Sequence, residues 1–379
     1  MARSAMTELY IGLMSGTSLD GADGVLVDFS SQGGSVPKVC AHQHRPFAPE
    51  LAAELLALNT PGNNELHRAA LAGNALARVY AEVVEALLGA GDVAREQVLA
   101  IGAHGQTVRH RPQEFDGTGY TLQLGSPALL GELCGIDVVA DLRSRDVAAG
   151  GQGAPLVPAF HRAVFGVAGE TIGVLNIGGI SNLTVLRSDG STTGFDCGPG
   201  NALMDHWCQA HTGRSFDDGG AWAASGSVIE PLLQRMLADP YFAMPAPKST
   251  GRDRFHQTWL SAHLRGSATP ANPADVQATL AELTAAGCAN DVLHHAVDAT
   301  ELLVCGGGAF NQHLMQRLTA RLPKVMVRPS DERGLPAMQV EACAFAWLAR
   351  AFCTRAPASL SSVTGARGAR ILGALYPVR

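Results

Sequence analysis

The stretch "YIGLMSGTSLDGADGVLVDF", residues 10–29, places a small polar turn between two apolar segments. The segments 8–14 and 23–29 are typical of strands, and the turn between them is rich in glycine and hydroxyl residues. A plain hairpin needs only one or two such residues. Because glycine lets backbone N–H groups approach a ligand and hydroxyls add donors, the pattern predicts a strand–turn–strand unit that contacts a ligand group with its backbone.

Two further glycine turns follow apolar strands, in "NIGGISN" at 176–182 and "CGGGAFN" at 305–311. A single turn of this kind is more often a tight turn or a bulge, but three of them favour binding of nucleotide phosphates. A strand–turn–strand unit begins near residue 8 and another near residue 171. We therefore expect two similarly built domains, with ligands in the cleft between them.

Length and composition agree with this organisation and exclude several classes of protein. At 379 residues the chain favours two domains, and its net charge of −6 without a basic cluster argues against a nucleic-acid partner. The lysines are few, Lys38, Lys248 and Lys324, and none lies in a glycine turn. The chain contains neither a P-loop motif nor a G-x-G-x-x-G opening a helix after the first strand.

The cysteines and the apolar runs bear on the compartment. Eight cysteines occur without a C-x-x-C pair, which fits neither a zinc site nor a disulfide framework. The start, "MARSAMTELYIG", has no long apolar segment of a signal peptide, and no run reaches the ~18 apolar residues that cross a bilayer. We expect a cytoplasmic protein with reduced thiols and no membrane partner.

The segment "GFDCGPGNALMD", 194–205, contains the best candidate for a catalytic carboxylate. Asp196 ends a predicted strand, and the Gly-Pro-Gly corner after it restricts the backbone, so the side chain can be aimed into a cleft. The alternative is that Asp196 caps the following helix, but it lies about four residues too early for an N-cap. Asn201 suits the cap better, and we interpret Asp196 as a general base.

These segments form part of an ordered set that spans nearly the whole chain. The set comprises "IGLMSGTSLDGADGVLVDF", "AIGAHGQTV", "VVADLRSRDVAAGGQGAPLVPAFH", "VLNIGGISNLT", "GFDCGPGNALMD", "DPYFAMPAPKSTGR", "DVQATLAELTA", "LLVCGGGAFN", "VEACAFAWLA" and "SVTGARGARILGALYP". Together the segments resemble the anhydro-N-acetylmuramic acid kinase family, of the superfamily of sugar kinases, acetate kinase, actin and chaperones. The resemblance implies an α/β, two-domain actin-like ATPase (sugar kinase) fold with an interdomain active-site cleft. We expect an N-terminal domain of 1–140 plus about 360–379 and a C-terminal domain of 141–359.

The resemblance also implies a reaction. Enzymes of this family use ATP and water to open the 1,6-anhydro ring of 1,6-anhydro-N-acetylmuramic acid and to phosphorylate O6. The products are N-acetylmuramic acid 6-phosphate and ADP, in cell-wall (peptidoglycan) recycling. ATP and Mg²⁺ are the implied cofactors, and a homodimer is the implied assembly.

Site residues follow from the same resemblance together with their positions. The first two turns are expected to hold the phosphates from opposite sides, and the third to lie near the adenosine. Glu341 corresponds to a carboxylate that orients the sugar, and the remaining sugar contacts lie at strand ends or in the loop after "VVAD". The ATP-binding candidates are Gly16, Thr17, Ser18, Leu19, Asp20, Gly21, Ala22, Asp23, Gly178, Gly179, Asn182, Gly306, Gly307 and Gly308. The substrate-binding candidates are His104, Gln106, Arg143, Asp146 and Glu341, and the catalytic candidate is Asp196. For His104 a structural role, and for Arg143 and Asp146 a surface ion pair, are equally compatible with the sequence.

Two positions depart from the expected pattern. Met14 stands where the superfamily usually has an aspartate that organises Mg²⁺, so the metal would pass to another carboxylate such as Asp20, Asp23 or Asp196. Cys197 stands where the family usually has threonine, which we expect to change a hydrogen bond near the base without abolishing the chemistry.

Other functions fit parts of the sequence. A conventional kinase of the same fold would phosphorylate a free hydroxyl of another amino sugar without adding water to the product. An actin-like or chaperone-like interaction protein would need a filament surface or a peptide-binding module, and no appended domain is evident. A metalloprotease-like relative would need paired histidines at a ligand spacing, which "LHHAV" at 293–297 does not supply.

Overall fold

The computed structural model describes residues 7–16, 18–30, 36–246, 248–251, 254–265 and 271–378. The chain forms two compact units, Met1–Val164 with Gln339–Arg379, and Phe165–Met338. Helices and strands are mixed in both, so the predicted α/β class is confirmed.

The strands are β1 Leu9–Met14, β2 Gly21–Asp28, β3 Lys38–Pro46, β4 Val98–Ala103, β5 Gln106–Pro112, β6 Gly119–Leu124, β7 Val138–Ala140, β8 Thr171–Ile177, β9 Ile180–Leu186, β10 Thr192–Pro199, β11 Ala299–Cys305, β12 Met326–Pro329 and β13 Ala374–Tyr376. The helices are α1 Pro49–Ala57, α2 Glu65–Gly91, α3 Pro127–Cys134, α4 Ser144–Ala148, α5 Val157–Phe165, α6 Ala202–Thr212, α7 Ala221–Ser225, α8 Glu230–Leu237, α9 Gln257–Leu264, α10 Pro273–His295, α11 Gln312–Arg321, α12 Val340–Cys353 and α13 Ser361–Thr364.

The two units contain sheets of the same strand order. The first sheet runs β3-β2-β1-β4-β7 with β13 added at the edge, and the second runs β10-β9-β8-β11-β12. In each sheet the first two pairs are antiparallel and the next two are parallel. The prediction of two similarly built domains is therefore met at the level of sheet topology.

In the first unit, α12 packs directly on the middle of the sheet. A Cβ atom on Gly12 of β1 would collide with the Ala342 carbonyl, and one on Gly102 of β4 would collide with the Phe345 carbonyl. Glycine is needed at both positions because the helix backbone lies against the strands. This packing places α12 in the first unit, whose second segment begins at Gln339 rather than near the expected residue 360.

The first boundary also differs from expectation, since the first unit extends to Val164 rather than to residue 140. The loop after β7 remains with that unit because its side chains bind there. Arg143 contacts His104 at the end of β4, and Asp146 contacts Thr364 near the C-terminus.

The second unit is organised around α10, which is buried on all sides. Sixteen of its positions between Val276 and Val292 are buried, many of them alanine, glycine or other small residues. Small residues let α6, α7, α8 and α11 approach the helix from different directions. The strand β10 also packs against α10, which fixes the position of Asp196 and Cys197.

Most of the predicted elements are present with small shifts of their ends. The predicted strands 8–14 and 23–29 correspond to β1 and β2. Among the described residues, no helix combines the length and the apolar character needed to cross a membrane.

Candidate active site

The first turn is anchored through the side chain of Ser15. Its hydroxyl donates to the Gly105 carbonyl over 3.1 Å and lies 2.9 Å from the Tyr80 hydroxyl, which is therefore the donor of that second bond. Leu19 has a positive φ of 57°, and its amide donates to the Gly16 carbonyl over 3.3 Å. Ser18 donates to the exposed Asp20 carboxylate. Thr17 lies outside the described residues.

The last residues of the predicted phosphate turn belong to β2. A Cβ atom on Gly21 would collide with the Arg45 carbonyl of β3, and Ala22 is completely buried in the core. Packing against the sheet thus accounts for both small residues without a ligand. Asp23 Oδ1 lies 3.3 Å from His42 Nε2 and 3.1 Å from His44 Nδ1.

Candidate sugar contacts of the first unit cluster at the carboxyl end of β4. Arg143 Nη2 donates to Nε2 of the buried His104 over 2.9 Å, and Arg143 Nη1 donates to the Gly153 carbonyl over 2.8 Å. Burial, followed by the nearby Arg143 charge, lowers the pKa of His104 to about 3. His104 is therefore neutral, with its proton on Nδ1. Gln106 Nε2 donates to the Gly16 carbonyl over 3.1 Å, which ties β5 to the first turn.

Asp146 is completely buried, and protein donors occupy both of its oxygens. The Gly153 amide donates to Oδ2 and the Thr364 hydroxyl to Oδ1, each over 2.8 Å. The neighbouring Gly151 leaves no room for a Cβ atom beside this carboxylate. The surface ion pair considered for Asp146 is not formed, since the residue closes the 150–153 loop against the C-terminal segment.

Glu341 lies in the first turn of α12, where its side chain is partly buried. Burial raises the pKa of its carboxyl group, the negative charges of Asp23 and Asp20 add to that rise, and Arg143 opposes it. Three predicted carboxylates and the predicted arginine thus influence one another in the first unit.

A cavity of about 310 Å³ opens beside His104 within the first unit. His104, Gly105, Gln123, Ser126, Asp141 and Ser144 are among the residues that line it. The cavity has the polar lining that a small hydrophilic ligand requires.

In the second unit the two predicted glycine turns meet at the carboxyl ends of β8 and β11. The Asn201 amide donates to the Gly178 carbonyl over 2.8 Å, and the Gly200 amide to the Gly179 carbonyl over 3.0 Å. Gly306 has a φ of +78° and no space for a Cβ atom beside Asn176, and Gly308 lies against Ile177 in the same way. Gly307 faces the Asn201 side-chain amide instead.

Asn201 occupies the N-cap position of α6, as predicted, although its side chain donates to the Ile177 carbonyl over 3.0 Å rather than capping the helix. Asn182, on β9, lies opposite Asp196 of β10 in the antiparallel register.

Asp196 is held from one side. Its Oδ2 accepts hydrogen bonds from the Ser249 hydroxyl and the Thr250 amide, each over 2.9 Å, while no described residue donates to Oδ1. Burial raises the pKa of the carboxyl group, and the Thr250 and Ser249 hydrogen bonds and the Lys248 charge oppose the rise. The arrangement fixes the carboxylate and leaves one basic oxygen available, as a general base requires.

Sequence reasoning did not assign a role to Lys248, Ser249 or Thr250, although it quoted their segment. Lys248 is buried, whereas Lys38 and Lys324 are exposed. The signal available in the sequence was the rarity of lysine, since Lys248 is one of three. The pairing with Asp291 could not be predicted, because the two residues are 43 positions apart in sequence.

Within the described ranges, no three His, Cys, Asp or Glu side chains group to hold a metal ion. Magnesium in kinases needs fewer protein ligands, because waters and substrate phosphates complete its shell. The exposed Asp20 fits such a role, whereas Asp23 Oδ1 is already engaged by His42 and His44.

The family model for anhydro-N-acetylmuramic acid kinase matches residues 8–378. The chain belongs to the anhydro-N-acetylmuramic acid kinase family. A curated anhydro-N-acetylmuramic acid kinase of Variovorax paradoxus is 64% identical over 98% of this chain and 99% of its own length. One of Albidiferax ferrireducens is 60% identical over 98% of this chain and 100% of its own. The predicted family and the predicted class of enzyme, a kinase, are both confirmed.

Solved structures of other proteins overlap more loosely. Component A of the Acidaminococcus fermentans (R)-2-hydroxyglutaryl-CoA dehydratase gives a TM-score of 0.48 at 11% identity, over 89% of this chain and 96% of its own. A Streptomyces griseus ROK family glucokinase in complex with glucose and AMPPNP gives a TM-score of 0.39 at 14% identity, over 90% of this chain and 99% of its own. Overlaps at this level carry no conclusion about the ligands of this chain.

Proposed function

We propose that this protein uses ATP and water to convert 1,6-anhydro-N-acetylmuramic acid to N-acetylmuramic acid 6-phosphate and ADP, as a step in cell-wall recycling. Membership of the kinase family supports the class of reaction. The observation that carries the chemistry is the Asp196 carboxylate, with Oδ2 held by Ser249 and Thr250 and with Oδ1 left without a described donor.

Asp196 would act as the base for the ring opening. It takes a proton from water as the water oxygen attacks C1, and the C1–O6 bond breaks. The electrons of that bond leave on O6, which attacks the γ-phosphorus of ATP and displaces ADP. An inverting glycosidase needs both a base and an acid, but here phosphoryl capture of O6 replaces protonation by the acid. One carboxylate therefore suffices, and its raised pKa makes it a stronger base.

Phosphoryl transfer depends on positioning and on neutralising the phosphate charges. We assign this task to backbone and hydroxyl donors of the glycine turns, including Gly16, Ser18 and Leu19 in the first unit. In the second unit the corresponding candidates are Gly178, Gly179, Asn182, Gly306, Gly307 and Gly308. Mg²⁺, when bound, supplies charge neutralisation at the phosphates, and Asp20 is the side chain that would hold it.

The sugar would be oriented by residues of the first unit. Neutral His104 and Gln106 offer hydrogen bonds, and the Arg143 guanidinium suits pairing with the lactyl carboxylate. Glu341, with its raised pKa, would accept from or donate to a sugar hydroxyl. Asp146 contributes indirectly, by fixing the loop that receives Arg143 at Gly153.

The test is a single-turnover product analysis in ¹⁸O-labelled water with ATP, Mg²⁺ and the anhydro-sugar. We expect a phosphosugar that carries one ¹⁸O on C1 and none in its phosphate, and Asp196→Asn should remove it. N-Acetylglucosamine and N-acetylmuramic acid with a free O6 serve as parallel substrates. Faster phosphorylation of either, without ¹⁸O incorporation, would instead establish a conventional amino-sugar kinase.

A further inference from the structure

A buried ion pair lies directly behind Asp196. Lys248 Nζ is 3.0 Å from Asp291 Oδ1 of α10, and the Lys248 side chain is only 1% exposed. The ammonium also lies 5.2 Å from the centre of the Tyr241 ring and 5.9 Å from that of Phe195. A buried ammonium without a partner would destabilise the folded protein, because it loses its hydration. The Asp291 carboxylate and the two aromatic rings therefore restrict the Lys248 ammonium to this position.

The backbone around Lys248 contacts Asp196 repeatedly. The Asp196 amide donates to the Lys248 carbonyl over 3.0 Å, and the next two residues, Ser249 and Thr250, supply both donors to Oδ2. The Tyr241 hydroxyl, below the ammonium, donates to the Asp196 carbonyl over 2.7 Å. The amide, the carbonyl and one carboxylate oxygen of Asp196 are thus all bound by the segment 248–250 or by its ring partner.

We propose that Lys248 is a positioning residue for the base: its ion pair with Asp291 clamps the segment 248–250 against β10, so that Ser249 and Thr250 hold Oδ2 of Asp196 and leave Oδ1 directed at the reacting water. The inference rests on the proposed function, in which Asp196 is the base. The clamp spans β10, the segment 248–250 and α10, and therefore couples the base to the rigid core of the second unit.

The charged and titratable groups near this carboxylate come from several elements. The positive charge of Lys248 lowers the pKa of Asp196. The titratable groups Asp196, Cys197 and Asp291 all lie near Tyr241. The Arg254 guanidinium also faces the Tyr241 ring, 5.4 Å from its centre, and His295 Nε2 lies 3.9 Å from Asp291 Oδ1. Removing the Lys248 charge withdraws stabilisation from the ionised form of Asp196, so the carboxylate should protonate at higher pH.

The experiment compares the wild type with the double variant Lys248→Met/Asp291→Asn, which removes both buried charges at once. Single variants would leave one buried charge without its partner. We expect kcat to fall roughly tenfold or more through misplacement of the base, with KM for the sugar within about twofold. The acid limb of kcat/KM should move to higher pH, because a displaced segment 248–250 no longer stabilises the ionised Asp196 carboxylate through Thr250 and Ser249. The matched control is Lys324→Met, which removes an exposed lysine of the same unit. It should change neither kcat nor the pH profile of kcat/KM.

A purely structural pair would lower the melting temperature of the double variant while leaving kcat and the pH profile of the folded protein unchanged, and that result overturns the proposal. If the double variant does not fold, Lys248→Arg decides, since the larger guanidinium keeps the charge but must displace the segment. A fall in its kcat at constant KM supports the clamp, and an unchanged kcat contradicts it. Failure of the proposed function is recognised separately, by a wild type that forms no phosphosugar or an Asp196→Asn variant that remains active.

Discussion

Asp196, on β10, and Asp146, in the short helix α4, are both aspartates that are at least partly buried, but their carboxylates have different hydrogen-bond partners. Asp146 receives donors on both oxygens, from Gly153 and Thr364, and fastens a loop to the C-terminal segment. Asp196 receives two donors on one oxygen only, from the segment that follows Lys248. The incomplete satisfaction of Asp196 fits the proton transfer that we propose for it, whereas the complete satisfaction of Asp146 fits a structural role.

The same contrast applies to the two sheets. Apart from β13 their strand order is the same, yet the first turn is tied through Ser15 to α2 and to Gly105 after β4, whereas the second turn is tied to the start of α6 through Gly200 and Asn201. The two sheets therefore share a topology but differ in the loops at their strand ends, which is where we propose that the chemistry takes place.

The largest expected effect is the loss of activity in Asp196→Asn. Removal of a general base should reduce kcat by about 10²- to 10⁴-fold. The amide oxygen can still accept from Ser249 and Thr250, so the melting temperature should stay close to that of the wild type. Steady-state kinetics and calorimetry on the same sample check both parts. Retention of more than a tenth of the activity would remove Asp196 from the base role.

Asp146→Ala should show the opposite pattern. It leaves the Gly153 amide and the Thr364 hydroxyl without their acceptor, at a cost of about 1–3 kcal/mol each. We expect a clear decrease of the urea midpoint, with the ¹⁸O pattern of the product unchanged. Thr364→Val, which removes one donor only, is the matched control and should destabilise less. A stable Asp146→Ala protein without activity would place Asp146 in direct contact with substrate.

A smaller effect is expected from Ser249→Ala, which removes one of the two donors to Asp196 Oδ2. That hydrogen bond favours the ionised carboxylate, so its loss should raise the pKa of Asp196 further. Because the base works only when ionised, kcat/KM at low pH should decrease and its acid limb should move to higher pH, with little change at neutral pH. An acid limb that moves to lower pH would contradict the assignment of this limb to Asp196.

The smallest effect is expected from Cys197→Thr, which introduces the residue usual in the family. Cys197 is buried beside Asp291, and burial raises the pKa of its thiol well above the ordinary range, so the residue acts as a neutral group. No described residue donates to Asp291 Oδ2, and a threonine hydroxyl offers it a stronger donor than the thiol. We expect kcat within about threefold of the wild type and an equal or higher melting temperature. A large loss of kcat would show that the thiol itself matters.

Several features of the site could be predicted because they depend on local sequence. The Gly-Pro-Gly corner and the strand before it placed Asp196 on β10, and the apolar segments on either side of the first turn located β1 and β2 nearly to their ends. The roles of Asp23 and Asp146 were not accessible in this way. Their partners, His42 and His44 for one and Gly153 and Thr364 for the other, depend on sheet register and on a contact over 218 residues.

The sequence by itself determined the family, the α/β class, the glycine turns and the carboxylate that we propose as the base, since each depends on residue type and order along the chain. Only the tertiary structure decided that α12 belongs to the first unit, that Gly21 is required by β3, and that Lys248 pairs with Asp291 behind Asp196. The physical reason is that burial, collision and charge pairing are set by distances in space. Residues that are remote in sequence acquire those distances only when the core packs.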